Sequence, residues 1–162
     1  MEIDKQNSSR QEIRANIDKY LELAKNGETI GPFIPYEIAT CYHYGIGLTK
    51  DDKESFKWFQ KAAEFDFYPA YISLGICYEL GYGVEPNIIE SHKWYEKAAH
   101  KGNAFAFYLL SRDYRLGRGV KKDLKKAQSW YEAAIDFGTE ELKQFMIEQM
   151  KQEETPMFDL YK

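Results

Sequence analysis

A pattern of 36 residues repeats three times along this 162-residue chain. Trp58, Trp94 and Trp130 lie 36 positions apart. Three Gly-x-Gly pairs keep the same spacing, and they are Gly45 with Gly47, Gly81 with Gly83, and Gly117 with Gly119. A fixed period of this length indicates stacked repeats, because each unit is a supersecondary element that buries its apolar face only against its neighbours.

Each repeat is predicted to contain two helices joined by a tight turn. Helix A is expected at about 35–44, 70–80 and 105–116, and helix B at about 52–65, 88–101 and 124–137. The Gly-x-Gly pair allows positive φ, so helix A can end there and the chain can turn back. Asp51, Asn87 and Asp123 precede helix B and are placed to cap it.

The tryptophans are predicted to be core residues. On helix B each tryptophan shares a face with the alanine four residues later, so a large ring lies beside a gap that a neighbouring helix can fill. The full repeats are expected at 34–66, 69–102 and 105–138.

The two ends of the chain are predicted to differ from the repeats. Residues 9–27 read as an N-terminal capping helix or partial repeat, capped by Ser8 or Ser9 and ended by Gly27. Residues 139–152 read as a C-terminal capping helix. The tail, residues 153–162, is rich in apolar residues and is expected to pack back on the repeats or to dock elsewhere. The chain is therefore predicted to be a single all-α domain.

The second repeat carries the most specific motif. It contains Ala70, Leu74, Gly75, Tyr78, Gly81, Gly83 and Val84, followed by Trp94-Tyr95-x-x-Ala98-Ala99-x-x-Gly102. This pattern resembles the Sel-1-like repeat, a branch of the tetratricopeptide superfamily, over about residues 34–138. The resemblance implies a right-handed α-solenoid of stacked helix-turn-helix repeats with a concave surface, and adaptor or scaffold work in protein complexes.

Some positions depart from that pattern. The first repeat has Ile34, Ile38 and Ala39 where Ala, Leu and Gly are usual, and the third has Ser111 in place of the glycine. These changes are expected to adjust packing only. A secreted, cysteine-rich branch of the family is linked to β-lactams, but its units each carry a cysteine pair. This chain has no such pair, so that activity is not carried over.

Composition argues against several classes of partner. A net charge of −4 and a pI near 5.5 give no reason to expect a nucleic-acid partner. The one basic cluster, Lys121, Lys122, Lys125 and Lys126, reads as a solvated helix start. No secretory signal and no run of apolar residues long enough to span a membrane are found, so no membrane partner and a cytoplasmic location are expected.

No chemistry of an enzyme is readable from the sequence. His43, His92 and His100 have no zinc-type spacing, and the Gly-x-Gly pairs lack the strand and third glycine of a dinucleotide site. Cys41 and Cys77 occupy the same place in adjacent repeats, where helix axes about 8–10 Å apart favour two free thiols at the edge of the core over a disulfide. No catalytic residue, cofactor or metal is therefore predicted, although a cysteine–histidine pair formed in space would not be visible in one sequence.

Candidate binding residues lie on the side of helix A that does not repeat. At 100° per residue, Ala70, Leu74 and Tyr78 share the packed side, and the opposite sides of the three A helices should line the concave surface. The candidates are Phe33, Glu37, Thr40, Tyr44, Ser73, Ile76, Leu80, Phe105, Leu109, Arg112 and Leu116. The set is apolar for an exposed face, which indicates a protein partner, with Arg112 as an anchor. The alternative is that the capping helices or a second copy cover it.

Three functions are left open at this stage. The first is a non-enzymatic adaptor that binds a partner protein on the concave surface as a monomer or weak homo-oligomer. The second is an immunity or antitoxin-like protein that neutralises one cognate toxin. The third is an enzyme, which would need a buried polar cluster within a concave pocket.

Overall fold

The computed structural model of this chain describes residue 12, residues 15–26 and residues 31–152. These ranges contain eight helices and no strand. In chain order the helices are α1 Ile17–Lys25, α2 Phe33–Tyr44, α3 Asp52–Glu64, α4 Tyr68–Leu80, α5 Ile88–His100, α6 Ala104–Leu116, α7 Leu124–Phe137 and α8 Glu140–Gln152. The expected cap at Ser8 or Ser9, the helix end at Gly27 and the tail 153–162 lie outside the described residues.

The predicted A and B helices are present as the pairs α2 with α3, α4 with α5, and α6 with α7, and their ends agree with the predicted ones to within two residues. Helix A ends at the first glycine of each pair. Gly45, Gly81 and Gly117 have φ of 70°, 78° and 73°, and each N–H donates to the carbonyl four residues earlier. This left-handed conformation is open to glycine without steric cost.

The B helices begin with side-chain caps. The Asp51 carboxylate accepts from the backbone N–H groups of Lys53 and Glu54 at 2.9 and 3.0 Å. Asn87 and Asp123 cap α5 and α7 in the same way. Each cap satisfies N–H groups that have no partner in the first helical turn, which stabilises the protein by roughly 1 kcal/mol.

The chain divides into two compact units, residues 1–94 and residues 95–162. In the first unit, Ile38, Phe56, Trp58 and Leu74 belong to one buried apolar cluster. The buried Ser55 hydroxyl donates to the Ala39 carbonyl at 2.8 Å, which joins α3 to α2. The helices of this unit are therefore held by apolar packing and by at least one buried interhelical hydrogen bond.

The turn after α4 lies directly on the first turn of α3. A Cβ added at Gly83 would lie 2.0 Å from the Asp52 carbonyl oxygen and 2.5 Å from its carbonyl carbon. Gly83 also has φ of 72°. Glycine is required here for two reasons, since a side chain would strain the backbone and would overlap α3.

The second unit has its own core. Ala106, Leu110, Ala134 and Met146 are fully buried. Met146 lies 36 residues after Leu110, and Leu110 is itself in register with Leu74 and Ile38. The last helix, α8, therefore keeps the register of a helix A.

The tryptophans differ in burial. Trp58 is 7% exposed, whereas Trp94 and Trp130 are half-buried. Trp94 packs against Tyr71 with ring centroids 5.6 Å apart, and Trp130 stacks on Phe107 at 5.5 Å. All three rings contact neighbouring side chains, but of the three only Trp58 is a buried core residue.

Candidate functional site

The first unit carries a pocket with a volume of about 150 Å³. It lies at α2 and α4, and we call it the α2–α4 pocket. Its lining residues are Tyr36, Thr40, His43, Tyr44, Phe59, Ser73, Ile76, Cys77 and Tyr82. Four of them, Thr40, Tyr44, Ser73 and Ile76, were selected from the sequence as candidate binding residues.

The other candidates of the first unit have different surroundings. Leu80 is 55% exposed at the end of α4, and Phe33 is half-buried. Glu37 is 1% exposed, so it does not belong to an open face. Helical angle alone places Glu37 beside Thr40 and Tyr44, but the exposure of a face depends on what packs against it, and α1 packs against α2.

In the second unit the candidates are less open than the sequence indicates. Leu116 is 50% exposed, but Leu109 is 4% exposed and belongs to the core. Arg112 is half-buried, and its Nη2 lies 3.4 Å from the buried Asp113 carboxylate.

Phe105 packs against Phe145 of α8, with ring centroids 6.0 Å apart. The capping helix therefore covers part of this face, which is the alternative that the sequence left open.

His43 on the wall of the α2–α4 pocket contacts a carboxylate. Its Nδ1 lies 2.7 Å from Oδ1 of Asp52. An ionised carboxylate can only accept, so we assign a hydrogen to Nδ1; in the tautomer that carries its single hydrogen there, Nε2 is an acceptor. The imidazole also packs against the rings of Tyr44 and Tyr82, with centroids 4.7 and 5.0 Å away.

The two aliphatic hydroxyl groups of the pocket, those of Thr40 and Ser73, are also acceptors. The Thr40 hydroxyl donates to the Tyr36 carbonyl at 3.0 Å, and the Ser73 hydroxyl donates to the Pro69 carbonyl at 3.2 Å. Each hydroxyl has one hydrogen, so the bond back to its own helix leaves only oxygen lone pairs for a ligand. The tyrosine hydroxyls can donate or accept.

Sequence reasoning missed His43, Asp52 and Tyr82. His43 and Asp52 are nine residues apart on different helices, and the corresponding residues one repeat later are Glu79 and Ile88. A search for repeated positions or for histidine pairs on one helix does not find such a pair. The available signal was the opposite one and held for Asp52 only, a polar residue at a position where the next repeat has the apolar Ile88.

Cys77 is a buried thiol on the pocket wall and is not poised as a nucleophile. Burial raises its pKa to about 12, and the negative charge of Asp52 contributes to the rise. A thiol with this pKa stays protonated at neutral pH, whereas catalysis requires the thiolate. Cys41 and Cys77 are both buried and form no disulfide, as the repeat spacing predicts.

The Cys77 thiol should resist labelling in the folded chain. A pKa raised from 9.0 to about 12 lowers the thiolate fraction at pH 8 by about a thousandfold, and burial further limits access. In a Cys41→Ala variant, a thiol reagent should modify Cys77 slowly in native buffer and rapidly in denaturant, as followed by intact mass. Equal rates in the two conditions would contradict the buried, protonated thiol.

Two further features are absent from the described part of the chain. It contains no group of three or more His, Cys, Asp or Glu residues able to hold a metal ion. None of its helices is both long and apolar enough to span a membrane.

A model of the Sel1 repeat matches residues 36–64, 69–103 and 104–136. The chain belongs to the Sel1 repeat family. The three Sel1 segments correspond to α2 with α3, α4 with α5, and α6 with α7, and the family resemblance noted in the sequence is confirmed. Sel1 repeats typically form protein-interaction modules and are generally non-catalytic scaffolds.

Solved structures of Sel1 repeat proteins are similar to this chain. A Sel1 repeat protein from Oxalobacter formigenes is 33% identical with a TM-score of 0.68, and the match covers 83% of this chain and 56% of that protein. The protective antigen c5321 of uropathogenic Escherichia coli, described as displaying an SLR fold, is 32% identical with a TM-score of 0.71. That match covers 80% of this chain and 27% of the antigen.

The chain thus spans only part of the length of both proteins. Helicobacter pylori cysteine rich protein B is 21% identical with a TM-score of 0.60, and the match covers 84% of this chain and 96% of that protein. At that identity the likeness concerns the fold alone. A search of curated proteins found no match. The predicted fold class, an all-α solenoid of stacked helix-turn-helix Sel1 repeats, is confirmed by these relatives.

Proposed function

We propose that this Sel1 repeat chain is a non-enzymatic adaptor that binds a partner protein through the open side of α2 and α4. The observation that supports this most is the α2–α4 pocket, because it brings together four residues selected independently from the sequence. Its volume of about 150 Å³ is small, since pockets for whole small-molecule ligands usually measure about 300–1,000 Å³. A pocket of this size suits one side chain of a protein.

The surroundings of the pocket support a protein partner. Tyr44 is 69% exposed and Leu80 is 55% exposed. They occupy the same position in successive A helices, 36 residues apart. Exposed apolar side chains that lie together mark interaction surfaces, and tyrosine is frequent among the residues that dominate binding energy.

The other residues selected from the sequence differ in their exposure. Phe33 keeps some exposure and is proposed as a further contact of this partner, and Glu37 and Leu109 are left out because they are buried. On the second unit, taken by itself, Arg112 and Leu116 keep some exposure and are proposed as candidate binding residues. We also infer a cytoplasmic location. Cys41 and Cys77 are both thiols, which suits a reducing compartment.

The test is capture of the partner from cells of the source organism, with identification by mass spectrometry. Wild type is compared with Ile76→Glu/Leu80→Asp, which introduces two charges beside the pocket. A matched control, Phe65→Asp/Ile89→Glu, introduces two charges at apolar residues that are 44% and 55% exposed elsewhere in the first unit. Circular dichroism confirms that all three chains are folded.

We expect the first variant to lose a partner that wild type and the control variant retain. The reason is that the two carboxylates replace the apolar contacts of Ile76 and Leu80 and must be desolvated when the partner binds. Equal recovery of every protein by all three chains would contradict the proposed surface.

A further inference from the structure

We propose that the α2–α4 pocket takes an arginine side chain of the partner, with the guanidinium group bonded to Thr40, Ser73 and His43 and stacked on tyrosine rings. This inference rests on the proposed function, since it names the chemistry of the partner at the same site. It follows from three properties of the pocket: its hydrogen-bonding character, its aromatic walls and its charge.

The assigned polar atoms of the pocket are acceptors. The hydroxyl groups of Thr40 and Ser73 donate to backbone carbonyls, and Nδ1 of His43 donates to Asp52. The two hydroxyl oxygens need a donor from the ligand, and so does Nε2 of the imidazole in the tautomer that has its hydrogen on Nδ1. Guanidinium has five N–H donors and no acceptor, so it complements this set better than a carboxylate or phosphate, which offers acceptors only.

The pocket walls carry aromatic rings that suit a planar cation. Tyr36 packs against Phe59 with ring centroids 5.5 Å apart, and Tyr44 and Tyr82 flank His43. Guanidinium stacks on aromatic faces, whereas the ammonium of lysine is a compact and strongly hydrated point charge. Tyr44 is largely exposed, so its ring is accessible to an entering side chain.

An acidic side chain lies beside the pocket. The Asp52 carboxylate is 28% exposed and contacts His43, and Lys50 lies 3.6 Å from its other oxygen. Lys50 is 59% exposed, and solvent weakens such a surface ion pair. The field of Asp52 reaches the pocket wall, because it contributes to the raised pKa of Cys77. A cationic side chain therefore meets a favourable potential.

This arrangement occurs in one repeat only. One repeat later, Ile76, Glu79 and Ile88 replace Thr40, His43 and Asp52, and Leu109 replaces Ser73. Two repeats later, Arg112 and Arg115 replace Thr40 and His43. Packing requirements keep the positions of the core constant between repeats, so the departure at these positions points to a ligand of the first unit.

The experiment titrates the full chain with short peptides and follows amide shifts by NMR. The probes are acetyl-Ala-X-Ala-amide, in which X is arginine, citrulline, lysine or glutamate. Citrulline keeps the planar group of arginine but removes its charge. We expect shifts at the residues of the α2–α4 pocket, and binding of the arginine peptide about tenfold tighter than that of the citrulline peptide, from cation–π and charge attraction.

Three variants test the residues. Tyr44→Leu removes an exposed ring with little effect on folding, and Asp52→Asn removes the charge, so each should weaken binding of the arginine peptide by about fivefold or more. The control is Tyr68→Leu, because Tyr68 is a 45% exposed tyrosine of α4 that does not line the pocket. It should leave binding unchanged.

Several results would overturn the proposal. They are equal binding of the arginine and citrulline peptides, tighter binding of the glutamate peptide, shifts mapped to another surface, or no shifts at the solubility limit of the arginine peptide. If the arginine peptide fails while Ile76→Glu/Leu80→Asp still loses a captured partner, the arginine inference falls and the adaptor proposal stands. If the arginine peptide binds as expected while that variant loses no captured protein, the pocket binds arginine but the adaptor proposal falls, and with it the assignment of the arginine to a partner protein.

Discussion

Replacement of Trp58 by alanine should lower the free energy of unfolding by about 3–5 kcal/mol. Trp58 is 7% exposed and belongs to the apolar cluster of the first unit, and the Nζ of Lys61 lies 4.3 Å from the centre of its ring. Alanine would leave a cavity that the surrounding helices can fill only in part. Urea unfolding followed by far-UV circular dichroism measures the loss without depending on tryptophan fluorescence.

Trp94→Ala is the matched comparison. The sequence predicts the same cost for Trp94 as for any core tryptophan, but its ring is half-buried. The loss should therefore be clearly smaller than for Trp58→Ala. Equal losses for the two variants, or a melting temperature of Trp58→Ala within a degree or two of wild type, would contradict the difference in burial.

Gly83→Ala should lower the free energy of unfolding by about 3 kcal/mol or more, which is well above the usual effect of so small a substitution. The left-handed conformation alone costs a non-glycine residue about 1–2 kcal/mol. The added Cβ would in addition lie 2.0 Å from the Asp52 carbonyl oxygen, so the turn after α4 and the first turn of α3 must separate. Urea unfolding of the full chain measures the change.

Gly31→Ala separates the two contributions. Gly31 has φ of 61°, and no atom of the described residues lies within 4 Å of a Cβ added there. The free energy of unfolding of this variant should therefore fall only by the backbone contribution, about 1–2 kcal/mol. If Gly83→Ala were no more destabilising than Gly31→Ala, the close approach of the turn to α3 would be wrong.

The sequence predicts the elements of this fold well because their causes are local. A glycine at positive φ ends each helix A, and Asp51, Asn87 and Asp123 cap each helix B through N–H groups two or three residues away. The 36-residue period then repeats these local signals three times. Because the same signals recur in every repeat, the predicted helix boundaries agree closely with those in the structure.

The candidate site was predicted less completely because exposure is not a local property. A helical wheel places Glu37 and Leu109 on the open side, yet both are buried. The α2–α4 pocket also depends on His43, Asp52 and Tyr82, which come from two helices and a turn. These residues come together only when the two helices and the turn pack, so no periodicity in the sequence predicts the pocket.

The register of α8 has a practical consequence for building larger proteins from this chain. Ile147 lies where successive A helices carry Ala39, Gly75 and Ser111, small buried residues against which a B helix can pack, yet Ile147 is 38% exposed. A copy of residues 117–137 joined after α8, together with Ile147→Ala, would supply a turn and a B helix to an A helix already in phase. Further repeats can thus be added after α8 in steps of 36 residues.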